Sequence, residues 1–220
     1  MDALECIEGR MSIRKFKPEP VPKATLFEVI KTAQRSPSYK NSQPWEVAIL
    51  SGEKKKALSQ RLVGLLNDGI EAKPDIAEPT GWPEAIQKRI DEMMSEKGKF
   101  FRMDLTDPAL TDKAKKANFN FYGAPHAIYL YQDATLSEWS LFDAGLFAQS
   151  LMLAAHAHGI GSVPQAYAVD YSQEVKRFLD IPESKRLLLG FSVGYPMARH
   201  PANRFRTDRV DSDEIVRWIE

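Results

Sequence analysis

"EWSLFDAGLFAQSLMLAAHAHGIG", Glu138–Gly161, decides how the rest of the chain must be arranged. Leu141, Ala144, Gly145, Ala148, Leu151, Met152 and Ala155 recur at helical spacing and form one face of mostly small side chains. Leu146, Phe147, Ser150, Leu153 and Ala154 cover most of the remainder. A helix that is apolar nearly all round is expected to be buried. Its small residues predict close approach by another helix, from the same domain or from a second subunit. Gly159 and Gly161 read as the stop of this helix. They lack the third glycine and the following helix of a dinucleotide fingerprint. His156 and His158 stand two apart, a poor spacing for shared metal ligation on a helix.

Outward from this helix, four stretches read as strands: "WEVAIL" at 45–50, "HAIYLYQ" at 126–132, "SVPQAYAV" at 162–169 and "RLLLGFSVGYP" at 186–196. Helical patterns precede and separate them. Asp2 can cap a short helix in "DALECIEGR". Pro22 can open "KATLFEVIKTAQRS" as a first-turn residue. "GEKKKALSQRLVGLLNDG" reads as an amphipathic helix ended by Gly69, and "SQEVKRFLD" as another helix. The segment from Lys73 to about Pro83 is rich in proline and acidic residues, and a charged helix is expected from there to Lys97. This order of elements predicts an α+β (mixed α/β) fold over 1–220 as a single domain, with a lid or excursion at about 70–120.

Composition excludes several functions. Thirty basic residues balance thirty acidic ones, so no global field draws nucleic acid or an anionic membrane. No run approaches the ~18 apolar residues of a membrane span. The N-terminus has no long apolar core, so it is not read as a secretory signal. Cys6 is the lone cysteine, which excludes an intrachain disulfide and fits a reducing, cytoplasmic setting.

Three polar constellations carry chemistry. In "GRMSIR", Arg10, Ser12 and Arg14 alternate, so an extended backbone places two guanidinium groups and a hydroxyl on one side. That set suits a phosphate. In "NRFRTDR", Arg204 and Arg206 alternate in the same way near the opposite end of the chain. In "SPSYKNSQPW", Ser36–Trp45, two prolines stiffen a loop that carries the amides of Asn41 and Gln43. Such amides offer the donors and acceptors that a flat heterocycle with alternating C=O and N–H groups requires. A fourth pattern, "GFSVG" at 190–194, matches the nucleophile elbow of serine hydrolases. It lies inside an apolar run, has no acid between Ser192 and His200, and leads into Tyr195-Pro196 rather than a helix.

Taken in order, these segments resemble the FMN-dependent nitroreductase family, in the branch typified by nitrobenzoate reductases. The resemblance rests on Arg10-x-Ser12-x-Arg14, "PSYKNSQPW", "FYGAPHAIYLY", the apolar helix, "VPQAYA", "GYP" and "NRFRTDR". It implies a central, mostly antiparallel sheet of four to five strands flanked by helices, in an intertwined homodimer. It implies that Arg10, Ser12, Arg14 and Arg206, with Arg204 assisting, hold the FMN phosphate and ribityl chain; Met11 is a cofactor-binding position too, but stands where many relatives carry Arg or His, so one phosphate contact is missing. Pro37, Ser38, Tyr39, Asn41 and Gln43 would come from the other subunit. Asn118 would face the pyrimidine edge, and Val163, Pro164, Gln165 and Ala166 would run beside the ring. Tyr39, Lys40 and Trp82 would border the acceptor. The implied activity is NAD(P)H-dependent, ping-pong reduction of a nitroaromatic or quinone, with no metal and no side chain acting as catalytic acid or base. Reductive dehalogenation, enone reduction or non-catalytic flavin binding are the alternatives on the same fold.

Overall fold

The computed structural model describes residues 2–105, 107 and 109–220. Helix α1 spans Ala3–Gly9, and Asp2 and Glu5 close a reciprocal capping box at its start. Helix α2 (Lys23–Ala33) follows the proline-rich segment, and β1 (Glu46–Ser51) follows the polar loop. After them come α3 (Gly52–Asn67), α4 (Glu84–Phe101), α5 (Ala109–Phe119), β2 (His126–Asp133), α6 (Trp139–Ala157), β3 (Gly161–Gln165), α7 (Ser172–Phe178) and β4 (Lys185–Gly194).

The sheet has the order β1-β2-β4-β3, and all three pairings are antiparallel. Alternation along β2 divides the core into two layers. Ile128 and Leu130 face one way and pack with Leu26 and Val29 of α2 and with Ala144, Ala148 and Leu151 of α6. Ala127 and Tyr129 face the other way, against Leu58 and Leu62 of α3, Phe119 of α5 and Val175 of α7. Each large apolar side chain buried here contributes about 1.5–3 kcal/mol. The small residues of α6 do admit a second helix, and that helix is α2 of the same chain.

The structure departs from the sequence reading in three places. Within one chain, α6 is not buried all round: Trp139, Phe142 and Leu146 form a stripe and are 66%, 70% and 46% exposed. The strand expected over 162–169 ends at Gln165 and turns into a 3-10 helix at Tyr167–Val169. The turn seats Ala168 against Gly190, where a Cβ would lie 2.5 Å from the Ala168 methyl. Helix α5 has no counterpart in the sequence reading.

Of the 70–120 excursion, residues 106 and 108 lie outside the described residues. Its start is anchored deeply. Asp75 meets the buried Lys176 Nζ at 3.0 Å and accepts the Leu187 N–H at 2.8 Å, while the Asp75 N–H donates to Ser172 Oγ. Helix α4 buries no residue fully. Its end packs Phe100 and Phe101 on Phe205, and Arg89 pairs with Glu214 of the C-terminal segment. Among the described residues no helix is long and apolar enough to cross a membrane.

Candidate active site

The free edge of β3 receives the segment after α1. Ser12 bridges Ser162 in parallel, and the Ile13 N–H donates to Ser162 O at 3.0 Å. Gly161 permits this approach, because a Cβ there would stand 2.7 Å from Ile13 Cγ1. The opposite end of the chain is fastened to the same segment by Asn203. Its Oδ1 accepts the N–H groups of Arg14 and Lys15, and its Nδ2 donates to Lys15 O and Met197 O. The Arg206 guanidinium donates to Glu8 O and Gly9 O at the end of α1.

This convergence encloses a cavity of about 650 Å³ lined by five cations: Arg10, Arg14, Lys97, Arg206 and Arg209. Met11 and Ser12 also line it, as do Met93 of α4 and Gln149 of α6. Among the described residues, no carboxylate lies within ion-pair distance of any of the five cations. Burial, reinforced by neighbouring like charges, lowers the proton affinity of Arg10 and Lys97 and of the nearby His156. Burial, then Arg209 and Arg206, push the Arg10 guanidinium below its ordinary value. Burial and Arg14 do the same to Lys97, and burial, Arg10 and Arg206 to His156. A concave site where five cations from three segments face a single acidic lining residue, Glu8, with which none of them forms an ion pair, suits an anion. Arg204 is exposed and does not line this cavity, whereas Lys97, which no motif marks, and Arg209, the last residue of "NRFRTDR", do.

The polar loop is held elsewhere, along α6. Ser36 donates to Ala33 O at 2.7 Å and meets Ser150 Oγ at 2.8 Å, and Trp45 stacks on Phe147. Between these anchors, Asp143 accepts the Tyr39 N–H at 3.0 and 3.2 Å, and Ser38 Oγ accepts the Gln43 N–H. Lys40, Asn41 and Gln43 adopt left-handed backbone, with φ of 52°, 57° and 48°. Pro37, Tyr39, Lys40, Asn41 and Gln43 are exposed, Ser38 is half-buried, and none of them lines the Arg10 cavity of its own chain. Trp82 is 49% exposed and borders none of the cavities described.

Asn118, Gln165 and Ser192 form one buried network. Asn118 Nδ2 donates to Ala114 O and Tyr122 Oη, Gln165 Nε2 donates to Asn118 Oδ1 and O, and Ser192 Oγ donates to Gln165 Oε1. Ser192 is thus a satisfied core hydroxyl. Val163 is buried beside Ile13 and Phe16, while Pro164 is half-buried and Ala166 exposed. The side chains of Val163 and Gln165 therefore point inward, and only Pro164 and Ala166 present an open surface.

A family model described as the nitroreductase family matches residues 7–195. The chain belongs to the nitroreductase family. The 4-nitrobenzoate reductase of Pseudomonas putida is 31% identical over 92% of this chain and 89% of that protein. Nitroreductase NfnB of Mycolicibacterium smegmatis is 32% identical over 96% of this chain and 90% of its own length. The crystal structure of FMN-dependent NfnB from Mycobacterium smegmatis in complex with NADPH matches with a TM-score of 0.93 at 31% identity, over 99% of this chain and 98% of that one. The FMN- and NADPH-dependent NfnB of a Sphingopyxis strain ("sphigopyxis sp. strain HMH") matches with a TM-score of 0.94 at 27% identity, over the full length of both chains. The nitroreductase fold expected from the sequence is therefore present, with four strands, all antiparallel. In this nitroreductase, Met11 lines the cation cavity through an apolar side chain that can bond no phosphate oxygen.

Proposed function

We propose that this chain is an FMN-dependent oxidoreductase that uses NAD(P)H to reduce small nitroaromatic or quinone-type acceptors, working as a homodimer. The observation that carries this reading is the cavity where five cations outnumber its one acidic lining residue, Glu8, which fits the phosphate of FMN. Arg10, Ser12, Arg14 and Arg206 would hold the phosphate and ribityl chain, with Arg209 adding charge beside them. When bound, FMN supplies the hydride chemistry at its ring, and the protein supplies binding, orientation and electrostatics. The side chains of Asn118 and Gln165, bonded to each other, fix the backbone of β3 against which the ring would lie. Arg14 can favour negative charge at the pyrimidine end of the reduced ring.

Two observations support the dimer. The stripe Trp139, Phe142 and Leu146 leaves large apolar surface open on one chain. The loop 37–43 is held rigidly on α6 yet contributes nothing to the cation cavity of its own chain. Both agree with the loop completing the site of a second copy. Helix α4, which brings Met93 and Lys97 to the cavity, supports the lid role of the 70–120 excursion within a single 1–220 domain. Tyr39 and Lys40, and more distantly Trp82, are the proposed acceptor-side residues. The lone buried Cys6 supports a cytoplasmic setting.

Anaerobic addition of NADPH or NADH to the purified yellow protein tests the activity. Bleaching followed by recovery of colour with 4-nitrobenzoate or menadione is expected. A flavoprotein that neither nucleotide bleaches contradicts it.

A further inference from the structure

Asp143 is a buried carboxylate that does not line the cation cavity. It lies on α6, is 6% exposed, and has no lysine, arginine or histidine within ion-pair distance among the described residues. Both of its oxygens face the Tyr39 N–H, at 3.0 and 3.2 Å, and Ser42 Oγ stands 3.5 Å from Oδ2. It therefore grips the first residue and the closing residue of the 3-10 turn Tyr39–Asn41. Within that grip Lys40 and Asn41, neither of them glycine, are held at positive φ, and Gln43 follows in the same region. Residues with side chains enter that region at a cost, and hold it only where surrounding bonds over-determine the backbone. Burying a carboxylate away from any cation also costs free energy, offset here chiefly by the charge-assisted bond from the Tyr39 N–H, with the Ser42 hydroxyl a long 3.5 Å away. A loop that had only to connect α2 with β1 would need neither expense.

We propose that Asp143 is a positioning residue for flavin binding: it fixes the backbone of the 39–43 turn before the flavin arrives, so that Asn41 and Gln43 are already aimed. This rests on the reading that the loop completes the flavin site of a second copy. The ordering entropy of the turn is then met on folding rather than on binding, which raises affinity without adding a contact to the ligand. Asp143 does not touch the flavin in this scheme. It acts through Tyr39 N–H and Ser42.

FMN titration of flavin-free Asp143→Asn by fluorescence quenching is expected to give an affinity about tenfold weaker than wild type, the scale of one charged hydrogen bond. The decisive arm mixes Asp143→Asn with Arg10→Ala in verified heterodimers. One of the two sites then has an intact Arg10 and an intact loop, and a tight FMN site must reappear. A general weakening of the fold would leave both sites impaired and overturns the proposal. Parallel heterodimers of Asn41→Ala with Arg10→Ala separate the two ideas. If they regain a tight site while Asp143→Asn binds FMN like wild type, the Asp143 proposal fails alone. If they do not, the shared-site reading fails. Should Asp143→Asn not fold, hydrogen exchange at the Tyr39 amide of flavin-free wild type decides: slow exchange supports the clip, and exchange at the free-peptide rate overturns it.

Discussion

Asn203 Oδ1 accepts the backbone N–H of Arg14 at 2.7 Å, joining residues 189 apart in sequence. With its three further bonds to Lys15 and Met197, this one buried amide seats the N-terminal arginines beside the C-terminal ones. Together with the backbone bonds Met197 N–H to Lys15 O and Lys17 N–H to Tyr195 O, that seam holds the two arginine-bearing ends around the cation cavity.

Asn203→Ala weakens the seam and leaves the N–H groups of Arg14 and Lys15 without their acceptor, whereas Lys15 O and Met197 O keep the N–H groups of Met197 and His200. A loss of about 2–3 kcal/mol is expected from unsatisfied buried groups. Urea unfolding measures it, and FMN affinity should fall in the same variant. A stable variant that retains flavin through extensive dialysis contradicts this account of the cavity.

Asp75→Ala strands the Lys176 ammonium in the core and frees the Leu187 N–H. Breaking a buried pair from one side costs about 3–5 kcal/mol. The double variant Asp75→Ala/Lys176→Met, which removes both charges, is expected to recover much of that loss. Equal instability of the single and double variants shows that the ion pair is not what the site needs.

Two buried groups give opposite pH dependences. Burial, then Glu78, raise the Asp170 carboxyl to about 6 from 3.8, while Lys115 acts against them. The folded state therefore binds the proton more tightly than the unfolded one. The stability Asp170 contributes is full below 3.8 and is lost as pH rises through about 6. Burial lowers His126, whose Nε2 accepts the Val21 N–H and whose Nδ1 faces Ser51 Oγ. Its contribution is present above 6.5 and lost as pH falls through its depressed folded value. Asp170→Asn lacks the first effect. Its stability relative to wild type should be greatest above pH 6 and smallest below pH 4, as read from urea midpoints across that range.

The α+β order, the sheet and the gathering of the N-terminal arginines at one cavity were legible because they are written locally. Apolar runs mark β1, β2 and β4, and alternation marks Arg10, Ser12 and Arg14. Other parts depend on contacts far away in sequence. Helix α5 has few apolar positions, and its buried end, Asn118 and Phe119, is paid for by Gln165 and by Tyr171. Lys97 looks like an ordinary surface cation until the cavity gathers it. Asp143 looks like a stray charge in an apolar helix, because the turn it grips lies 104 residues away. The open stripe on α6 was read as burial, since a sequence cannot say whether an apolar face is covered by its own chain or by another.

The central claim is that two copies share each flavin site, one giving the arginines and the other the 37–43 loop. Flavin occupancy in verified heterodimers of Arg10→Ala with Asn41→Ala tests it most directly. The account predicts one tightly held FMN per heterodimer, where each parent homodimer holds neither tightly. Heterodimers that retain no more flavin than their parents contradict it.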